Sequence, residues 1–165
     1  MKRRLTALIL VVIALSPLMA SAMPAVPAWR MAPPFSTETA SLTIGGEVTI
    51  DAEIADTNEL RSRGLGDRDG LRDGWGMLFI DQTAHVQTFW MKGMRFCLDI
   101  IWIQNGKITG SAPNVCPQPG TADVDLTVYS SVMPVQYVLE MPANWLKDNN
   151  FGAGSTAAMT LPPSV

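Results

Sequence analysis

An Asn-Gly step between two apolar runs constrains this chain more than any other feature. Cys97 to Gln104 (CLDIIWIQ) is strongly apolar, Asn105-Gly106 follows, and Lys107 to Ala112 runs on beyond it. Asn and Gly both accept the positive φ of a two-residue hairpin turn, so the pattern predicts two antiparallel strands closed tightly. A second instance lies upstream: Ser41 to Ile44, Gly45-Gly46 and Glu47 to Ile54 read as strand, turn and strand. In the latter strand Val48, Ile50, Ala52 and Ile54 alternate with Glu47, Thr49, Asp51 and Glu53. A period of two places one face in the core and the other in water.

The remaining signals agree with a β architecture. Asp56 is placed as a helix N-cap with Glu59 as its capping-box partner, and Gly64 suits the C-cap of a short helix over 57–63. Residues 66–76 read as a Gly- and Asp-rich loop. Short strands are expected at 77–80, 86–91, 126–128, 135–141 and 156–161, with a second short helix at 143–149. Many short strands and two short helices predict a mainly β fold: a small antiparallel β-barrel or β-sandwich.

The first residues carry an address. Lys2, Arg3 and Arg4 precede an apolar run from Ala7 to Leu15, Pro17 breaks it, and Ala20-Ser21-Ala22 offers small residues to a signal peptidase. Residues 1–22 therefore read as a signal peptide, too short in its apolar run for the ~20 residues of a membrane span. Residues 23–40 hold Pro24, Pro27, Pro33 and Pro34 and read as a proline-rich linker; 41–165 is expected to be a single β-rich domain. The protein is thus expected to be exported, periplasmic or secreted, with no transmembrane segment in its mature chain. The net charge of −3 becomes more negative once the basic leader is lost, which argues against nucleic acid as a partner. One His and two Cys fall short of the about four ligands of a Cys/His zinc cage, so no metal and no cofactor are expected.

Several motifs fall in a familiar order: Glu53-Ile54-Ala55-Asp56-Thr57, Arg63-Gly64-Leu65, Arg68, Gly76-Met77-Leu78-Phe79, Phe89-Trp90-Met91-Lys92, Leu98-Asp99-Ile100-Ile101 and Tyr137-Val138-Leu139-Glu140. Over residues 47–161 the chain resembles the family called domain of unknown function 192. The resemblance implies a compact β-barrel-like or sandwich fold, often behind a signal peptide, and implies no activity. Three positions depart from the family pattern: Gly66 where Met is usual, Cys97 in place of Pro, and Gly154-Ser155 in place of Gly-Asp.

Asp99 is the most informative charged residue, because it lies inside an apolar strand. A buried carboxylate needs a partner, and Arg63, Arg68 and Lys92 are the candidates. They would form either a site for a small polar or anionic ligand or an ion pair that fixes loops to the barrel; the ion pair is preferred. Trp90 and Lys92 share one face of their segment, with Met91 opposite, and would floor a planar polar ligand or simply rim the core. Asp99 and Glu140 are the available acid–base pair for a hydrolase, although Glu140 alternates within its strand and would face water. His85, the single His, reads as a solvent-exposed loop residue rather than a base. Asp67, Asp69 and Asp73 lack the closing Glu of a calcium loop.

Cys97 and Cys116 are expected to form a disulfide, since they flank the hairpin turn and the compartment is oxidising. Cys97 lies eight residues before Asn105 and Cys116 ten after Gly106, a two-residue offset that the segment at Pro113 must absorb. The function expected is non-enzymatic binding of a small polar or anionic ligand, or of an envelope component, in a pocket rimmed by Arg63, Arg68, Trp90, Lys92, Asp99 and Glu140. The alternatives are a hydrolase using Asp99 and Glu140, or His85, and an envelope accessory protein acting through protein contacts.

Overall fold

The computed structural model describes Ser36 and residues 38–163. The expected leader and most of the proline-rich linker lie outside the described residues. The domain starts slightly earlier than expected: β1 (Thr39–Ile44) begins inside the expected linker, because Thr39 and Ala40 pair with Glu53 and Ala52 of β2 (Val48–Ala55). The turn between them needs glycine at Gly45, where φ is +66° and an added Cβ would lie 2.3 Å from the Phe151 ring.

The helix α1 (Asn58–Arg63) is capped by Thr57, not Asp56: the Thr57 hydroxyl accepts from the Leu60 amide at 3.2 Å. Gly64 ends it as expected, its N–H donating to Leu60 O. Then come β3 (Trp75–His85), β4 (Thr88–Phe89), β5 (Leu98–Gln104), β6 (Lys107–Val115), a 3₁₀ turn (Asp123–Asp125), β7 (Tyr129–Ser130), β8 (Val135–Pro142), α2 (Trp145–Asp148) and β9 (Ala157–Thr160). Two expected strands differ: 86–91 shortens to β4, and 126–128 is the non-strand link between the 3₁₀ turn and β7. β4 and β7 pair with each other outside the main sheet.

The main sheet has the order β6-β5-β8-β3-β2-β1-β9. Its pairs are antiparallel except β2 with β3, which α1 and the loop after it connect as a parallel crossover. The sheet curls until its end strands meet beside the Asn105-Gly106 turn: Lys107 bridges Thr156, Ile108 N donates to Ser155 O, and Ala157 N donates to Gly106 O. The fold is mainly β, a curled and partly closed barrel with two short helices.

Alternation along the strands produces two cores. Leu42, Ile44, Ile54, Leu78, Ile101, Ile103, Ile108 and Leu139 fill the inside of the curl. Met77, Phe79, Ile100, Trp102 and Val138 lie on the outer face of β3, β8 and β5, where Leu65, Met91 and partly buried Phe89 cover them. This second core explains why the hydrophobic runs of β5 and β8 are continuous: both of their faces are dry.

The hairpin offset is resolved by two register shifts between β5 and β6. One extra residue is inserted between Trp102↔Gly110 and Ile103↔Ile108, and another between Leu98↔Val115 and Ile100↔Ala112. Pro113 thus marks one of the two bulges, with Asn114 at φ 52°. Cys97 and Cys116 come into register just beyond Leu98 and Val115, and they form the expected disulfide, their Cα atoms 4.1 Å apart.

Candidate functional site

Asp99 is fully buried, and among the described residues it forms no ion pair. Its strand neighbour is Met141, on the inner face of the curl. Oδ1 accepts from the backbone amides of Asn114 (2.8 Å) and Asn144 (3.0 Å), and Oδ2 accepts from Leu146 (2.9 Å). The expected ion pair with Arg63, Arg68 or Lys92 is therefore replaced by backbone donors. The bulge at Asn114 frees one N–H from the ladder, and the start of α2 supplies two that a helix leaves without partners. Asp99 is a structural clamp joining β5, β6 and α2.

Arg68 instead meets Glu53, a residue the alternating pattern assigns to water. Its two terminal nitrogens donate to Glu53 Oε1 (2.8 Å) and Oε2 (2.7 Å), and both side chains are more than nine-tenths buried. The period-two rule fails at this end of β2 because Ala52, Glu53, Ile54 and Ala55 are all buried: the crossover covers the face that would otherwise be wet.

Glu53 pairs with Met77 and Met77 with Glu140, so the two glutamates share a face two strands apart. Glu140 is 6% exposed rather than in water as its alternation implies. Among the described residues no donor hydrogen-bonds its carboxyl. Burial raises its pKa from 4.5 to about 8, against the opposing pull of the Arg68 charge.

Glu140 lines a cavity of about 400 Å³. One wall is α1 and its C-terminal turn, with Arg61, Arg63 and Gly64 to Gly66. The other is the segment Gln87 to Trp90, with Lys92 and Met94; Phe79, Asp81 and His85 come from β3. The two walls are tied by the Asp67 amide, which donates to Gly93 O. Arg63, Trp90, Lys92 and Glu140 thus line one cavity, whereas Arg68 is outside its lining and Asp99 lies on the opposite face of the sheet. An acid–base pair of Asp99 and Glu140 is not formed.

At the rim Trp90 is 57% exposed while Met91 is buried, the split expected from their alternation. Lys92 Nζ pairs with Asp123 of the 3₁₀ turn at 2.6 Å. His85 is exposed as expected, but it ends β3 rather than sitting in a loop, and its ring accompanies Asp81 at 3.8 Å in the cavity wall. Asp67 and Asp69 pair with Arg95 at 3.9 and 2.9 Å. Sequence patterns left Arg61, Asp81 and Gln87 of the wall unmarked. Arg61 donates to the carbonyls of Asp56 and Ile80 and approaches Asp81 at 3.6 Å. Gln87 donates to Asp81 at 2.7 Å, orienting that carboxylate. No local signal distinguishes these from surface polar residues.

Solved structures share the fold. A candidate transcription regulator from Sinorhizobium meliloti 1021 is 26% identical, with a TM-score of 0.64 over 74% of this chain and 92% of its own. A protein of unknown function from Novosphingobium aromaticivorans DSM 12444 is 23% identical, with a TM-score of 0.63 over 82% of this chain and 99% of its own. Comparison with curated proteins finds no match. The family model described as an uncharacterized ACR, domain of unknown function 192, matches residues 40–159, and the chain belongs to that family.

Proposed function

We propose that the protein is an exported, non-enzymatic binder of a small polar or anionic ligand, held in the cavity above Glu140. The observation that carries this reading is Glu140 itself. It is a buried carboxyl without a hydrogen bond from the described residues, at the base of an open cavity. A carboxyl that lines a cavity exchanges a hydrogen bond to water for one to a ligand that enters. Trp90 offers an exposed ring face, and Arg63 and Lys92 stand with it in the cavity lining. The leader pattern and the disulfide support export, and export makes an envelope component one source of ligand.

The hydrolase reading draws support from Glu140, Asp81 and His85 sharing one cavity. An accessory role through protein contacts draws support from exposed Val86, Val124, Val128 and Val132 around β4 and β7.

A thermal-shift panel of sugars, phosphates and carboxylates on the purified protein tests the reading, since ligand binding raises stability by mass action. A concentration-dependent rise that Trp90→Ala diminishes supports it. A flat response across the panel overturns it. Turnover of chromogenic esters or glycosides that is lost in Glu140→Gln would establish the hydrolase instead.

A further inference from the structure

We propose that the outer face of the β4–β7 ribbon is a homodimer interface, in which Trp90 of each copy packs over Val86 and Val132 of the other about a two-fold axis through the Thr88–Ser130 pair. The inference is independent of the binding reading above.

The ribbon sorts its side chains by alternation. Thr88 pairs with Ser130 and Phe89 with Tyr129, and the Ser131 amide carries the pairing one step further by donating to Gln87 O at 2.9 Å. One face turns to the protein: Gln87 and Ser131 are buried, and Phe89 packs on Phe79 and Trp102 of the second core with ring centroids 5.0 and 5.7 Å away. The residues between them, Val86, Thr88, Trp90, Val128, Ser130 and Val132, are exposed. Thr88 and Ser130 form the centre of that outer face. Val86 and Val132 flank one end of it, and Trp90 and Val128 the other.

The exposed apolar area matches what a dimer needs. Val86 is 50% exposed, Trp90 57%, Val128 54% and Val132 97%, with Met133 at 48% beside them. Together these residues expose roughly 600 Å², the upper end of the largest apolar patch on a typical monomer. A standard interface takes ~800 Å² from each partner, with an apolar centre and a polar rim. The outer face supplies the centre, and the Lys92–Asp123 ion pair next to it supplies rim.

Charge and size favour a second copy over an unlike partner. Residues 86–91 and 126–135 contain no charged side chain, in a chain with 12 Lys+Arg and 15 Asp+Glu. A charged partner finds no complement there, whereas a copy of the same face meets no like charge. The face also complements itself in shape. Its centre holds two small side chains, with the Trp90 ring at one end and two valines at the other. A two-fold axis through the centre sets the large end of one copy on the small end of the other, so every contact occurs twice. Trp90 also lines the cavity, so the partner's Val86 and Val132 border that cavity in the dimer.

Sedimentation equilibrium of the purified protein between about 1 and about 100 µM tests this. A reversible monomer–dimer equilibrium is expected. Val132→Asp and Trp90→Lys should each weaken it about tenfold or more, and each should melt near wild type because both positions are exposed. Mixing the two variants should restore dimers, because the new opposite charges meet across one of the two symmetric contacts. A monomer throughout the range overturns the inference, as does a dimer that both variants leave intact, since it uses another face. Variants that weaken the dimer but do not recover on mixing overturn the packing of Trp90 on Val132. A monomer that still responds to the thermal-shift panel overturns this inference and leaves the binding reading standing.

Discussion

Glu53 and Glu140 face the same side of the sheet across Met77, and Arg68 holds Glu53 through two hydrogen bonds of 2.8 and 2.7 Å. Two glutamates in one row thus have different roles. Glu53 is fixed in a buried ion pair behind the cavity wall. Glu140, at the base of the cavity, is left to water or to a ligand.

Glu140 makes stability fall with pH. Its folded pKa of about 8 lies above the unfolded value of 4.5, so the folded state holds the proton more tightly. Its contribution is complete below about pH 4.5 and is lost as pH rises to about 8, on the order of 5 kcal/mol at most. Glu140→Gln should flatten this slope and exceed wild type in stability at about pH 9. Urea unfolding at both ends of the window checks it; parallel pH profiles for the two proteins would show that Glu140 is not shifted.

Arg68 and Glu53 should couple strongly. Arg68→Met leaves a buried carboxylate without its bidentate partner and should cost about 3–5 kcal/mol. Joining it to Glu53→Gln should recover much of that loss. A double-mutant cycle from denaturation midpoints measures the coupling, and additive losses would contradict the pairing.

Asp99→Asn should destabilise by about 1–3 kcal/mol, because an NH₂ group replaces one acceptor and faces a backbone N–H. Since Asp99 holds Asn144 and Leu146, hydrogen exchange should quicken first at α2 and at the Asn114 bulge. An unchanged midpoint and unchanged exchange would remove Asp99 from the clamp.

Replacing Cys97 and Cys116 by Ser should cost about 3 kcal/mol in the chain-entropy model, for a sequence separation of 19. Thiol titration of the unfolded, unreduced protein should find no reactive thiol. Two thiols per chain would mean the bond does not form in solution.

Local chemistry made much of the fold legible. Asn105-Gly106 announces the β5–β6 hairpin because few residues accept its dihedral angles. Gly64 ends α1 for a related reason, and Cys97 and Cys116 announce their bond because both flank that hairpin. The same reasoning gathered Arg63, Trp90, Lys92 and Glu140 as candidates, and they do line one cavity.

Partner choice was not legible, and tertiary structure decided it. Asp99 in an apolar strand signals a buried carboxylate needing donors, but any donor satisfies that need. The Asn114 bulge and the start of α2 deliver amides to it, whereas Arg68 is carried by the crossover to Glu53. The alternation of β2 and β8 states which residues share a face and says nothing of what covers it. Glu53 and Glu140 therefore read as wet until the segments after β2 and β3 fold over them. Periodicity and turn chemistry act within a few residues and are written in the sequence. Burial, pairing and the protonation of Glu140 depend on groups distant along the chain, which only the folded arrangement brings together.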